Sequence, residues 1–503
     1  MPSHDVDASF VALPLRRLAD AALQRARDFG VEHADFRMER LRSQDLRLRD
    51  GALEGAHDGE QLGFAVRVIV DGTWGFSSSV ELSPESAIRT TEEAVRVAQV
   101  SAAISSERIE LADEPVYDNV AWVSAYDIDP LSVPVGDKVD LLGEWSRRLL
   151  AAGSVRHVSA TLEQVVEAKF YADLAGTMTT QQRVRLHPAL EAHGSDEATG
   201  RFDSMRTIAP PVGRGWEYLS DGRHDWDDEL AKIPDLLAEK LSVKPVDSGI
   251  YDLVIDPSNL WLTIHESIGH ATELDRALGY EANYAGTSFA TWDKLNTLTY
   301  GSGAMHVTGD RTVEHGLATI GYDDEGVQAQ SWDIVRDGIL VGYQLDRRMA
   351  AMKGLGRSNG CAFADSPGHI PIQRMANVSL QPADDGPDTD GLISSVENGI
   401  YVVGDRSWSI DMQRFNFQFT GQRFYRILNG RLAGQVRDLA YQATTTEFWG
   451  SMEAVGGPQT WVLGGAFNCG KAQPGQVAPV SHGCPAALFR NVRILNTQSE
   501  AGR

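Results

Sequence analysis

His265-Glu266-Ser267-Ile268-Gly269-His270 gathers two imidazoles and a carboxylate in one short segment. Neutral imidazoles are zinc ligands, and a catalytic zinc site takes three protein ligands and keeps one position for water. Glu266 stands next to the first histidine, where zinc proteases carry their general base. The spacing is unusual. The common zinc-protease motif sets its histidines four apart on one helix face, whereas these are five apart. At about 100° per residue, four steps return a side chain to within roughly 40° of its start, and five overshoot to roughly 140°. Sharing one metal therefore requires a π-type widening, a bulge or a break between Glu266 and His270. A third ligand has several possible sources. Glu273 and Asp275 lie further along the same segment, and Cys469 and Cys484 lie far towards the C-terminus.

The segment needs a framework to hold it. Asp256-Pro257-Ser258 reads as a helix opening, after an apolar strand at Gly249–Ile255. Upstream, helical periodicity spans Leu13–Phe29, Pro84 to about Ala103 (with Ser83 as N-cap), Val139–Ala152 and Trp226–Leu241, the last with Pro234 as a kink or restart. Alternating runs at Asp35–Arg40, Asp45–Arg49, Gly63–Val70 and Thr73–Ser78 predict an antiparallel meander, and Val155–Tyr171 and Thr177–Ala192 predict long strands. Beyond about residue 285 the pattern is β-rich. Strands are expected at Ile339–Gln344, Met375–Gln381, Gly399–Val403, Phe415–Leu428 and Leu488–Leu495, with a hairpin turn at Asn429-Gly430. Asp323-Asp324-Glu325-Gly326 reads as a turn between strands. The expected class is α+β: an N-terminal α/β domain over residues 1–244 with a mostly antiparallel sheet, and a C-terminal β-rich domain over 245–503 carrying the zinc-binding helix.

Composition narrows the functions. A net charge of −24 argues against nucleic-acid binding through a basic surface. Three cysteines in 503 residues do not make a disulfide framework. The start of the chain lacks the basic and apolar regions of a secretory leader, and no apolar run reaches the about 18 residues of a membrane span. A cytoplasmic setting is expected.

Several ordered motifs carry a resemblance. His265 to Asp275 resembles the H-E-x-x-x-H-x-x-E-x-D of the TldD/PmbA family, in its TldD branch. Tyr322-Asp323-Asp324-Glu325-Gly326, Asp337 to Tyr343, Arg357-Ser358, Pro371 to Asn377 and Cys469-Gly470-Lys471 resemble further motifs of that family. The resemblance implies a zinc metallopeptidase cutting unfolded or linear peptides, in peptide maturation or degradation. Its metal ligands would be His265, His270 and Cys469, and Glu266 its acid/base. Glu273 and Asp275 would orient the histidines from behind. The resemblance also implies a dimer around an enclosed cavity, either a homodimer or a heterodimer with a PmbA/TldE-like subunit. Arg357, Arg374 and Asn377 are candidates for gripping a substrate backbone, the alternative being that they pin hairpins of the β-rich part. Ala472-Gln473-Pro474 departs from the family pattern, and Ser481-His482-Gly483-Cys484 matches none of its motifs. The competing function is a non-catalytic scaffold or partner subunit of a peptide-processing complex.

Overall fold

Alternation along His33–Asp196 builds a large sheet, seen here in a computed structural model that describes residues 4–500. The first three residues, where the expectation of no leader begins, and 501–503 lie outside that range. The strand order is Thr73–Ser79, Ala52–Val70, His33–Arg49, His157–Asp173, Met178–Asp196 and Val120–Val123, and Arg201–Arg206 also pairs with Met178–Asp196. Every pairing is antiparallel except that of Val120–Val123. The predicted runs at 35–40 and 45–49 are one continuous strand, because its middle pairs on both sides. Leu15–Phe29 and Pro84–Ala102 lay their apolar faces on one region of this sheet, closing a core around Phe36, Phe64 and Phe170. Ser83 caps the second helix through its side chain, as its position predicts. Trp226–Ser242 runs as one helix through Pro234.

The C-terminal half closes a second sheet on itself. Asn398–Ile410, Gly249–Ile255, Ala487–Asn496, Leu439–Thr444 and Asn416–Leu428 are neighbours in turn, and the last pairs back with the first. Closure leaves no free edge around the ring. Asn429-Gly430 forms the predicted tight turn, both residues at positive φ. The helix Pro257–Ile264, capped by Asp256, packs on the interior of this barrel. Asn259 bonds the carbonyls of Gly404 and Thr420, each at 3.0 Å, and the Tyr441 hydroxyl joins Asn259 to Thr263. Ile339–Gln344 is strand only at Ile339–Leu340. Beyond it the chain peels away, and Gln344 donates instead to the carbonyls of Thr272 and Gly269. The fold is α+β, and among the described residues no helix is long and apolar enough to cross a membrane.

Buried charge ties the first sheet to the loops around residues 324–325 and 364 of the C-terminal half. Lys169 reaches Asp324 and the Ala364 carbonyl, each at 2.8 Å, and Arg67 reaches Glu325 at 2.9 Å. The Asp323–Gly326 segment is therefore a turn: Asp324 and Glu325 are spent on this seam, and Asp323 accepts from the backbone N–H groups of Glu325, Val327 and Ala362. Glu39 lies fully buried there, 3.7 Å from Lys169 Nζ and from Arg37 Nε, and burial pushes its carboxyl from 4.5 up to about 7. The folded state thus holds this proton more tightly than the unfolded chain does. Its contribution to stability is full below pH 4.5 and is lost as pH rises through 7. One such proton changes stability by at most about 1.4 kcal/mol per pH unit. Denaturant midpoints measured across that window should fall less steeply for Glu39→Gln than for the wild type.

Candidate metal centre

The five-residue spacing is resolved by a π-helical turn at His265–Gly269, which follows the α-helix and leads into a 3-10 turn at His270–Thr272. A wider turn displaces the regular carbonyl acceptors, and other donors meet them. Thr263 O accepts from Ser267 Oγ, Ile268 O from Thr272 Oγ1 at 2.8 Å, and Gly269 O from Gln344 Nε2 at 2.7 Å. Ser267 O accepts from the Tyr300 hydroxyl. A Cβ at Gly269 would stand 2.6 Å from Met375 Sδ, so any larger residue there would have to displace the end of that side chain.

Both histidines then face Cys469. Its Sγ lies 3.5 Å from His265 Nε2 and 3.6 Å from His270 Nε2, and the three atoms all fall within 4.8 Å of one another. Cys469 comes from the strand Val462–Lys471, paired with Gln476–Cys484, and a register shift between Ala466 and Cys469 turns its side chain inward. Arg374 Nη2 holds the Cys469 carbonyl at 2.6 Å.

The tautomers follow from the outer bonds. The Val378 carbonyl can only accept, so His482 Nδ1 donates to it at 2.8 Å. That leaves His482 Nε2 as a lone pair, which accepts from His265 Nδ1 at 2.7 Å. His265 Nε2 is therefore a free lone pair aimed at Cys469. On the other side, His270 Nδ1 donates to Glu273 Oε2 at 2.9 Å, so His270 Nε2 is free in the same way. Burial keeps all three rings neutral. His270 falls to about 3, helped by the Arg276 guanidinium, and His482 to about 4. His265 is held well below the usual imidazole range by burial, with His270 and His482 beside it.

These residues fit zinc. With Zn–N near 2.05 Å and Zn–S near 2.3 Å, a tetrahedral N···S edge is about 3.6 Å, the separation seen on both histidines. Burial raises the Cys469 thiol to about 11, against the pull of Arg374, so a bound cation must displace its proton. Glu273 opposes its own burial through Lys471 at 3.1 Å, and is held well below the usual carboxylate range. Lys471 also meets Asp275 at 2.9 Å, so Asp275 reaches the site through Lys471, whereas Glu273 bonds His270 itself.

Glu266 is buried beside this group and is paired with Arg414 at 2.7 Å. Burial pushes its carboxyl up, while Arg414, Arg276 and a bond from the Trp408 side chain pull it back. A cavity of about 380 Å³ opens alongside, lined by Trp261, Trp408, Phe467, Pro210 and Pro211. Trp261 packs edge-on to His265 and parallel to His482. A larger cavity, about 750 Å³, lies near Phe417 and Glu447, and neither cavity is lined by His265, Glu266, His270 or Cys469.

The three candidate substrate contacts sit elsewhere in the bonding. Arg374 and Asn377 are fully buried. Arg374 donates to the Cys469 and Gln476 carbonyls, and Asn377 bonds Ala318, Asp310 and Thr319. Both pin the loops around the metal strand. Arg357 pairs with Glu114 at 2.6 Å and so ties the two halves of the chain. Sequence reasoning singled out His482 without a role and missed Arg414 and Trp408. His482 had one signal, a histidine within an apolar strand, and the other two had none. Replacing His482 by Ala should weaken metal binding by roughly 10–100-fold, as for other residues that orient a ligand imidazole. Competition with a chelator of known affinity measures it.

The chain is similar to several known proteins. The family model described as the PmbA/TldA metallopeptidase C-terminal domain matches residues 248–496, and that for PmbA/TldA metallopeptidase domain 1 matches 34–98. A metalloprotease of Methanothermobacter thermautotrophicus is 28% identical over 470 residues, covering 93% of this chain and 96% of its own. A protein named zinc metalloprotease TldD homolog, from Saccharolobus solfataricus, is 22% identical over 482 residues, covering 94% and 98%. Among solved structures, a putative modulator of a DNA gyrase from Thermotoga maritima has a TM-score of 0.76 at 17% identity, covering 95% of this chain and 100% of that one. TldE from Thermococcus kodakarensis gives 0.66 at 15% identity, covering 95% and 99%.

Proposed function

Because this chain belongs to the PmbA/TldD metallopeptidase family, we propose that it is a zinc-dependent peptidase acting on unfolded or linear peptides. One observation carries the reading: two lone-pair Nε2 atoms each stand from one thiol at the N···S separation of a tetrahedral zinc site, with both Nδ1 atoms already engaged behind them. His265, His270 and Cys469 would hold the metal. Zinc bound there supplies Lewis acidity, lowering the pKa of a water and polarising a carbonyl.

The remaining work falls to the protein. Glu266 accepts the water proton and returns it to the leaving amine, which requires that its carboxylate be held beside the ligands and kept ionised. Glu273 and His482 hold the two imidazoles in register through their Nδ1 protons. Burial excludes bulk water from the charged groups and strengthens each of these interactions. The cavity lined by Trp261, Trp408 and Phe467 is where an extended chain would meet the site. Residues 1–244 would form the N-terminal α/β part, and 245–503 the metal-bearing part. We place the protein in the cytoplasm, as a homodimer or with a TldE-like partner. The alternative function, a non-catalytic partner subunit, leaves the ligand set without a use.

Elemental analysis together with cleavage of an unstructured peptide tests the reading. About one zinc per chain is expected, with cleavage lost to a chelator and restored by zinc. A chain that takes up no zinc in metal titration and leaves the peptide intact would overturn it.

A further inference from the structure

Arg414, we infer, is the positioning residue for the general base: its guanidinium holds the Glu266 carboxylate in the orientation from which it takes the proton. The inference rests on the peptidase reading above, and its evidence is the way the fold delivers one cation from a distant turn.

Arg414 lies in the loop Asp411–Phe415, which joins two barrel strands, Asn398–Ile410 and Asn416–Leu428. It is 148 residues from Glu266 in sequence, and its Nη1 donates to Glu266 Oε2 at 2.7 Å. The loop is braced from three directions. Asp411 accepts from the backbone N–H of Gln413, Phe415 and Asn416. The Thr445 hydroxyl donates to the Arg414 carbonyl at 2.8 Å. The segment 286–289 docks on the loop through Thr287 N to Met412 O at 2.7 Å and Phe289 N to Gln413 O at 2.8 Å. That docking is close: a Cβ on Gly286 would stand 2.0 Å from the Met412 carbonyl oxygen, so only glycine fits.

Arg414 itself takes φ 62°, a left-handed conformation that side-chain-bearing residues seldom adopt. An unfavourable backbone geometry held by this many bonds is the pattern of a side chain aimed for a purpose. The same guanidinium donates through Nη2 to the Ala285 carbonyl at 3.2 Å, which also accepts from Arg276 Nη1 at 2.8 Å. Arg276 lies 3.4 Å from Glu273, the acid behind His270. The carboxylate of the base and the carboxylate that orients a ligand are thus indexed to one carbonyl.

Three proteins test the proposal: wild type, Arg414→Ala and Arg414→Lys. Each is assayed for zinc content, for kcat per zinc-loaded site, and for KM on an unstructured peptide. Arg414→Ala should keep its zinc and its KM while kcat falls about 10–100-fold, less than the roughly 10²–10⁴-fold worth of the base itself. Guanidinium ion added to Arg414→Ala should restore part of the lost kcat, and should do nothing for Glu266→Gln. Arg414→Lys should fall in between, since a point charge replaces a planar fork. An unchanged kcat per zinc in Arg414→Ala overturns the proposal and leaves the peptidase reading standing. So does a loss that follows zinc content alone, without guanidinium rescue, because that is a structural role. A wild type that neither holds zinc nor cleaves overturns both.

Discussion

Glu266→Gln is expected to reduce peptide cleavage by about 10²–10⁴-fold while leaving bound zinc unchanged. The amide keeps the size of the side chain and can still meet Arg414 through its carbonyl oxygen, but it cannot accept a proton. Glu266 is not among the converging ligand atoms, which come from His265, His270 and Cys469, so the metal has no reason to leave. The substitution also leaves the largely buried Arg414 guanidinium without its carboxylate, so some folding stability should be lost as well. Zinc analysis with kcat on the same preparation separates the two roles. Cleavage retained in the variant removes Glu266 from the mechanism, and zinc lost from it makes Glu266 a ligand.

Cys469→Ser should abolish tight metal binding, well beyond the roughly 10–100-fold expected for residues that only orient a ligand. A serine hydroxyl is neither anionic nor soft, so the site would keep two good donors out of three. Cys484→Ser is the matched control. Cys484 is also fully buried, but its Sγ faces the Pro257 carbonyl at 3.6 Å, at the start of the helix that leads to the ligands. Its replacement should leave zinc stoichiometry intact. Melting with and without zinc gives a second readout: binding only to the folded state stabilises by about 2.7 kcal/mol at a hundred times Kd. Wild type and Cys484→Ser should show that gain and Cys469→Ser should not. The reverse pattern would move the third ligand to Cys484.

Much of the frame was legible because periodicity and turn chemistry are local. Ser83 before Pro84, Asp256 before Pro257 and Asn429-Gly430 each mark an element boundary through their own backbone preferences, and each is seen there. The run at Ile339–Gln344 misled for a long-range reason. Its apolar alternation suits a strand, but Gln344 is drawn off to satisfy carbonyls freed by the π turn.

The metal segment divides the same way. Two histidines five apart beside a glutamate were enough to require a widened turn, since helix geometry is set by residue count alone. Which atom completes the trio was not contained in that segment. Cys469 arrives from 199 residues beyond His270, turned inward by a register shift in a hairpin. His482 and Arg414 arrive likewise, from 217 and 148 residues away. Spacing and side-chain type therefore determined what chemistry this chain can attempt and how its helix must bend. The tautomer of His265, the partner of Glu266 and the burial of Arg374 and Asn377 depend on strand register, barrel closure and loop docking. Those are set by packing between distant elements, so only the tertiary structure decided them.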